Sequence, residues 1–334
     1  MANFPFFDEA RVQVIHLQET PTDETFDEEG YLLANPDVAA VVAARKLKSG
    51  WAHFKKFGRT EGRRQYVPVS RRQLAAQAIP AARADKMRRL APLLSRPPLE
   101  QDAQGRAVYL TSELVRTYDL SGQDGVSENG YDDETERLIQ SAGEGLVLDV
   151  GAGNRPIYYP NVVNYEVVDY ATTDVLGVAE ELPFRDNSFE GVISIAVLEH
   201  VKDPFRCARE LARVLKPGGW LKCCVPFLQP LHGYPHHYFN MTHEGLRTLF
   251  EPYVAIERQE VTPPTHPVWA IAWQLREWAN ALPPKARKDF LRQRVGDLIA
   301  HPAALLQKPW AQELPMAKQF ELAAATILIG RKRA

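Results

Sequence analysis

Only three cysteines occur in the 334 residues, Cys207, Cys223 and Cys224, and neither a disulfide framework nor a zinc-ligand spacing can be drawn from them. Cys223 and Cys224 are adjacent in an apolar run, which turns them to opposite faces of a strand and keeps them from pairing with each other. No apolar run reaches the roughly 20 residues of a membrane span. The N-terminus mixes Phe4, Phe6 and Phe7 with Asp8 and Glu9. It therefore lacks the basic start and apolar core of a signal peptide. Internal repeats and low-complexity tracts are absent too. These absences point to a reduced, soluble, cytoplasmic chain with no transmembrane segment.

What is present is ordinary for a globular protein: 45% hydrophobic and 25% charged residues, with a net charge of -2. The length suggests one catalytic domain with appended segments. The small net charge hides an asymmetry. Residues 1–30 hold eight acidic residues against a single Arg11. Residues 45–96 reverse the sign, with Arg59, Arg63, Arg64, Arg71, Arg72, Arg83, Lys86, Arg88 and Arg89 among them. Such a stretch can meet nucleic acid or an anionic membrane surface, or it can be a solvated helix face that pairs with the acidic N-terminus. The second reading is preferred. No strong nucleic-acid signal accompanies the basic residues, and no Asn-Pro-Pro-Tyr-like motif is found.

Residues 1–70 read as a small helical module. Tyr31-Leu-Leu-Ala-Asn-Pro-Asp-Val38 leads into an Ala/Val-rich helix, and Trp51, Phe54 and Phe57 recur as one apolar stripe of a short helix that Gly58 can stop. His53 reads as a helix-surface residue. The Tyr-Leu-x-x-Asn-Pro-Asp-Val start and the Gly58-Arg-Thr-Glu-Gly-Arg63 end resemble a short helical module of bacterial surface-polysaccharide enzymes and secreted repeat proteins. Residues 71–130 hold a basic, Ala-rich helix over 71–94, ended by Arg96-Pro-Pro98, and then a polar, Gly-rich linker.

Residues 131–334 read as the catalytic domain. Asp132–Gln140 is a helix with an acidic first turn. Leu146–Val150, Tyr165–Asp169, Gly191–Leu198 and Trp220–Phe227 are short apolar strands of a parallel sheet. Between the last two, Phe205, Ala208, Leu211, Ala212 and Leu215 make a helical stripe, and Lys216-Pro-Gly-Gly219 turns the chain into the next strand. Strand, helix and strand at this spacing form a βαβ unit. Thr242–Phe250 is a capped helix. Val254–Val261 and Ala323–Ile329 are two further strands, the last of them antiparallel. Residues 262–318 are a helical insertion between them, fit for a lid over the acceptor, a dimer surface or core packing; a homodimer stays open. The expected fold class is α/β, a Rossmann-like, doubly wound and mostly parallel sheet with a small N-terminal helical region.

The sharpest motif is Leu146-Val-Leu-Asp-Val-Gly-Ala-Gly153. At the carboxyl end of the first strand of an open α/β sheet, a Gly-x-Gly turn lets the backbone approach a ligand closely. A nicotinamide dehydrogenase would place a third Gly where Asn154, Arg155 and Pro156 stand, to receive a pyrophosphate at a helix N-terminus. Asp149 would repel that pyrophosphate, but its charge suits the amino group and sulfonium of S-adenosylmethionine (SAM). Asp169, at the end of the second strand, can accept both ribose hydroxyls of a nucleoside.

Four further blocks follow in order: Ala179-Glu-Glu-Leu-Pro-Phe184, Asp186-Asn-Ser-Phe-Glu190, Leu198-Glu-His-Val-Lys-Asp-Pro204 and Arg213-Val-Leu-Lys-Pro-Gly-Gly219. With them the chain from about Gly145 to Phe227 resembles the SAM-dependent methyltransferase domain of the ubiquinone/menaquinone-methylase type. The resemblance implies SAM as cofactor. It puts Asp149, Gly151 and Gly153 along the methionine part, Asp169 at the ribose, Val178 and Ala179 beside the adenine, and Ile195 under the cofactor through its backbone, with Ala152 and Tyr170 also among the cofactor-binding residues. Two departures stand out. Val178 replaces the usual Asp or Asn that reaches the adenine amino group, a contact that Glu180 is the candidate to replace. The few residues from Tyr170 to Val175 leave no room for a crossover helix, because a parallel crossover needs a dozen or more residues.

In-line alignment of acceptor and methyl group is the main catalytic demand of such a reaction, and a hydroxyl acceptor also benefits from a general base. His200, just past the fourth strand, and His236 or His237, in the loop Leu231-His-Gly-Tyr-Pro-His-His-Tyr-Phe-Asn-Met-Thr242, are the candidate bases. No carboxylate spacing supports a metal in this loop, so none is expected. The expected function is methyl transfer from SAM to a small-molecule or glycan acceptor, at oxygen. The alternative is a non-catalytic SAM-binding scaffold that recruits a partner through its basic region.

Overall fold

A computed structural model describes residues 14–120, 128–233, 236–299 and 302–322. The chain forms two compact units. One comprises Met1–Leu198 with Asp203–Cys224, the other Glu199–Lys202 with Val225–Ala334. The boundaries expected near residues 70 and 130 thus fall inside the first unit. Among the described residues no helix is long and apolar enough to cross a membrane.

The first unit opens with β1 (Ile15–His16) and β2 (Gln18–Glu19), then α1 (Glu28–Ala34), α2 (Pro36–Ala43), α3 (Gly50–His53) and β3 (Gln65–Tyr66). Asp27 caps α1 by accepting from the Gly30 N–H, and Ser49 caps α3. Tyr31, Val38 and Phe54 form the core of this part, with Phe26 and Trp51 against them. Phe57, expected on the same stripe, is 40% exposed instead. The cause is a π-turn over Phe54–Gly58, where the wider i→i+5 pitch rotates Phe57 off the face. Gly58 lacks a side chain because a Cβ there would land on the Tyr31 hydroxyl. That hydroxyl meets His53 Nδ1 at 3.0 Å, so His53 is a packed hydrogen-bonding partner rather than a free surface residue.

Next come α4 (Val69–Leu90), β4 (Glu100–Gln101), β5 (Ala107–Val108), α5 (Ser112–Tyr118), α6 (Asp133–Ser141), β6 (Val147–Val150), β7 (Ile157–Tyr158), β8 (Val162–Glu166), β9 (Val175–Leu176), β10 (Phe189–Ile195), α7 (Pro204–Val214) and β11 (Leu215–Cys224). The central sheet has the order β11-β10-β6-β8-β9-β5-β4. All neighbouring pairs in it are parallel except β4–β5. The antiparallel member found is therefore β4, at the edge and from the stretch read as linker. The strand expected at Ala323–Ile329 lies outside the described residues. The one expected at Val254–Val261 is irregular. Val261 is 67% exposed there and residues 257–260 are exposed as well, so the run has no buried face to pair.

Strand β6 is buried along its whole length, as a central parallel strand covered on both faces must be. Helix α6 covers one face through Ile139, which packs with Val147, Val162 and Ile193. Helix α7 buries Cys207, Ala208, Leu211 and Val214, whereas Phe205, placed on the stripe from the sequence, is 63% exposed. Both β6–β8 and β8–β9 are joined without a helix. The second link is short because β9 starts level with the end of β8, Tyr165 opposite Val175, so the chain has no strand length to retrace. The first link carries β7, which pairs with β1.

The cations of α4 replace the missing crossover helices. Arg83 donates to the Gln104 and Ala171 carbonyls, and Arg89 to those of Pro160 and Glu144. Arg83 and Lys86 also reach the buried Asp174. Nearby, Arg59 pairs with Asp23, Arg63 with Asp37, Arg71 with Glu19 and Arg88 with Asp85. Much of the basic stretch is thus neutralised within the first unit.

The second unit is helical: α8 (His243–Phe250), α9 (Pro267–Ala281), α10 (Pro284–Phe290), α11 (Val295–Leu298), α12 (Pro302–Leu305), α13 (Pro309–Gln312) and α14 (Met316–Glu321). Thr242 caps α8. Ala279, Leu282, Ala286, Phe290, Trp310 and Leu314 form its core, and the Trp278 indole donates to the Trp310 carbonyl at 3.0 Å. The insertion therefore packs a core of its own.

Candidate functional site

The glycine turn follows β6 as expected. Gly151 and Gly153 have φ of +71° and +66°, a region that side chains rarely adopt. A Cβ at Gly151 would also collide with the Val197 side chain. The Gly151 and Ala152 N–H groups both point to the Tyr165 carbonyl, at 2.9 and 3.3 Å. This ties the turn to the end of β8.

Asp149 is fully buried and does not stand as a free charge. Arg155 holds its Oδ2 through Nε at 2.9 Å and Nη2 at 2.7 Å, and the Tyr131 hydroxyl donates to the same oxygen. Arg155 also lies over the Tyr131 ring and donates to the Asn129 carbonyl. Burial raises the Asp149 pKa against the pull of Arg155. One oxygen of Asp149, Oδ2, is thus committed to Arg155 and Tyr131. Its Oδ1 is buried and unpartnered, and so are Asn154 Oδ1 and Ser194 Oγ. Asn154 is oriented by its amide N–H donating to Glu128, which also takes bonds from Tyr66 and Gln18.

Strand β8 ends at Glu166, three residues before the acid singled out from the sequence. The Glu166 carboxylate accepts from the Gly153 N–H at 2.8 Å and the Val167 N–H at 2.7 Å. Burial pushes its pKa up. Asp169 lies beyond the strand, its side chain 70% exposed, opposite Arg106 at 3.5 Å. Tyr170 is half-buried, and burial pushes its hydroxyl up to about 12. Val178, Ala179 and Glu180 are all buried, and the Val178 carbonyl accepts from the Tyr165 hydroxyl at 2.9 Å. Ile195 closes β10 half-buried, and Ala196 follows with φ of +56°.

The candidate bases belong to the second unit. His200 Nδ1 lies 2.6 Å from the His236 carbonyl, and His232 Nδ1 lies 2.8 Å from that of Pro230. His237 is engaged at both nitrogens, with the His232 backbone and with Asn240 Oδ1 at 2.8 Å. The rings of His200, His232 and His237 stand edge to face, 4.4–5.6 Å between centroids. Glu199 joins them: it is fully buried, both its carboxylate oxygens lack a hydrogen-bond partner, and burial raises its pKa to about 7. Tyr234 lies outside the described residues. Glu199 is the member that the sequence did not single out, whereas His232 was read as part of the histidine loop. The signal was the Glu199-His200 tandem, read only as part of a family block.

Residues 148–223 match the family described as a methyltransferase domain. An uncharacterized methyltransferase of Mycobacterium tuberculosis is 32% identical over 37% of this chain and 46% of its own length. A ubiquinone/menaquinone biosynthesis C-methyltransferase of Pasteurella multocida is 32% identical over 38% of this chain and 47% of its own. A solved SAM-dependent methyltransferase of Thermotoga maritima aligns at 23% identity over 35% of this chain and 67% of that one, with a TM-score of 0.28. The alignments thus span under half the length of the curated relatives. Residues 148–223 are thus similar to methyltransferase domains, the ubiquinone/menaquinone biosynthesis C-methyltransferase among them.

Proposed function

We propose that the protein transfers a methyl group from SAM to an oxygen of a small-molecule or glycan acceptor. The observation that carries the cofactor side is the Gly153 N–H bonded to Glu166 at 2.8 Å, which brings the glycine turn and an acid at a strand end together, as nucleoside recognition requires. Glu166 would take the ribose hydroxyls, in the role assigned from the sequence to Asp169. The orphaned acceptors Asp149 Oδ1 and Asn154 Oδ1 suit an ammonium group, which must donate, and so fit the methionine end. Val178, Ala179 and Glu180 would border the adenine, and Ile195 the cofactor's underside. When bound, SAM supplies a methyl group on a sulfonium.

For an acceptor hydroxyl, the proton is assigned to an imidazole of His200, His236 or His237. A scaffold that recruits a partner through the basic region has little support, since Arg59, Arg63, Arg71, Arg83 and Lys86 are already paired within the fold. Calorimetry with SAM and with its demethylated product, followed by methyl transfer to a fractionated small-molecule and glycan extract, tests the reading. Binding without any transfer would favour the scaffold, and no binding would remove both.

A further inference from the structure

We propose that Glu199, His200 and His232 form a binding site for one divalent transition-metal ion of the zinc type. All three belong to the second unit, so the inference stands whether or not the methyltransferase reading does. One donor atom from each lies within 4.8 Å of the other two, and Glu199 Oε1 is 3.8 Å from His200 Nε2. Among the described residues this is the one such group.

Three independent features prepare these side chains for an ion. The first is the state of Glu199. A fully buried carboxylate with no hydrogen-bond partner on either oxygen is costly, and proteins rarely leave one without an ion or a hydrogen bond. Its backbone is anchored, because the Glu199 carbonyl accepts from both Tyr238 and Phe239 N–H groups at 2.6 and 3.2 Å.

The second is the histidine tautomers. Each imidazole sets Nδ1 against a backbone carbonyl, His236 for His200 and Pro230 for His232. A carbonyl only accepts, so both Nδ1 atoms carry the proton and both Nε2 atoms present lone pairs. This is the second-shell arrangement that orients metal-bound histidine.

The third is the packing around them. Gly233 follows His232 with φ of +123°, and a Cβ there would fall on the His200 ring. The glycine lets the two imidazoles approach. His237 braces the pair from the side, with both its own nitrogens engaged by the His232 backbone and Asn240.

Two neutral imidazoles and one carboxylate suit zinc and its neighbours rather than magnesium or calcium, which take oxygen ligands. A tetrahedral ion with bonds of ~2.0–2.1 Å holds its donors roughly 3.3 Å apart, so the three groups need to close only modestly. Three protein donors also leave a coordination position for an oxygen ligand, the pattern of ions that act on water or substrate. Metal ligation and proton acceptance both need the lone pair of His200 Nε2, so the site assigns that lone pair to the ion.

The test uses the full-length, tag-free chain, stripped with chelator. It is titrated with Zn²⁺ under a competing chelator and with Co²⁺ followed by visible absorption, with circular dichroism to verify folding. One Zn²⁺ per chain is expected, undisturbed by excess Mg²⁺. Glu199→Gln and His232→Ala should each weaken it by at least ~100-fold, while His243→Ala, outside the cluster, leaves it unchanged. Glu199→Gln keeps the side-chain shape, so it remains decisive if His232→Ala does not fold. Folded wild-type protein that takes up neither ion, or unchanged affinity in folded Glu199→Gln, overturns the site. Displacement of Zn²⁺ by Mg²⁺ overturns the assigned ion class.

Discussion

The guanidinium of Arg155 closes on Asp149 with Nη2 at 2.7 Å and Nε at 2.9 Å from a single carboxylate oxygen, Oδ2. The pair is buried beneath Tyr131, and the other oxygen is left without a partner. The first acid of the glycine motif is therefore a structural strut that holds the turn's sequel, Asn154-Arg155-Pro156, against the end of β6.

Breaking the strut from one side strands a buried charge. Arg155→Gln should cost about 3–5 kcal/mol of folding stability, measured by urea denaturation. Arg155→Gln combined with Asp149→Asn should recover part of that loss, because no net charge is then buried. A single-variant cost below about 1 kcal/mol would show that the carboxylate finds water or another partner.

The ribose of the proposed cofactor gives a second test, because two acids compete for it. Glu166→Gln should weaken SAM and its demethylated product by roughly 10–100-fold in calorimetry, the worth of hydrogen bonds to a charged acceptor. Asp169→Asn should change affinity by less than about 3-fold, since that side chain is 70% exposed and faces Arg106. The reverse ranking would return the ribose role to Asp169.

That ambiguity shows what the sequence could carry. The glycine turn, β6, β10, α6 and α7 were legible because each rests on local patterning: an apolar run, a capping residue, a Gly at positive φ. The missing helix before Val175 was legible from chain length alone. The start of β8 was not, because Asn164 reads as a turn residue. It is buried within the strand, its amide donating to the Thr172 carbonyl and its N–H to Asp174, and tertiary partners of that kind leave no local trace. For the same reason β5 was read as linker, since its pairing with β9 joins residues distant in sequence. Phe57 misled for a different reason, as a π-turn changes the helical period itself. The Glu199, His200 and His232 cluster escaped because a carboxylate was sought within the histidine loop.

Lys86 and Asp174 carry the next prediction. The ammonium sits 2.6 Å from the carboxylate with both side chains fully buried, and Tyr158 and Arg83 share the same acid. Burial pulls the Lys86 pKa down to about 8, against the attraction of Asp174. Lys86→Met should destabilise the protein by about 3 kcal/mol in denaturant melts, since Asp174 then keeps too little positive charge around it. Asp174→Asn added to Lys86→Met should restore part of the loss. If the single variant instead matched wild type, Arg83 alone would suffice to neutralise the acid, and the basic face of α4 would have a surplus charge.

Asp132 sets an acid limit on the first unit. Burial works against its charge, but hydrogen bonds from Lys222 and from the Thr135 hydroxyl and N–H hold its pKa down to about 2, below the ordinary 3.8. In the window between these values the unfolded chain binds a proton that the folded chain does not. The stabilisation is therefore fully present above about pH 4 and is lost as pH falls through the window. The side chain is 53% exposed, so solvent screening keeps the effect within about 1 kcal/mol. Asp132→Asn retains a capping oxygen but cannot titrate, so it should be less stable than wild type near pH 5 and should close the gap as pH approaches about 2. Urea midpoints measured for both proteins across that range check this. A gap that stays constant with pH would mean that Asp132 acts as a neutral cap, with no contribution from its charge pairing to Lys222.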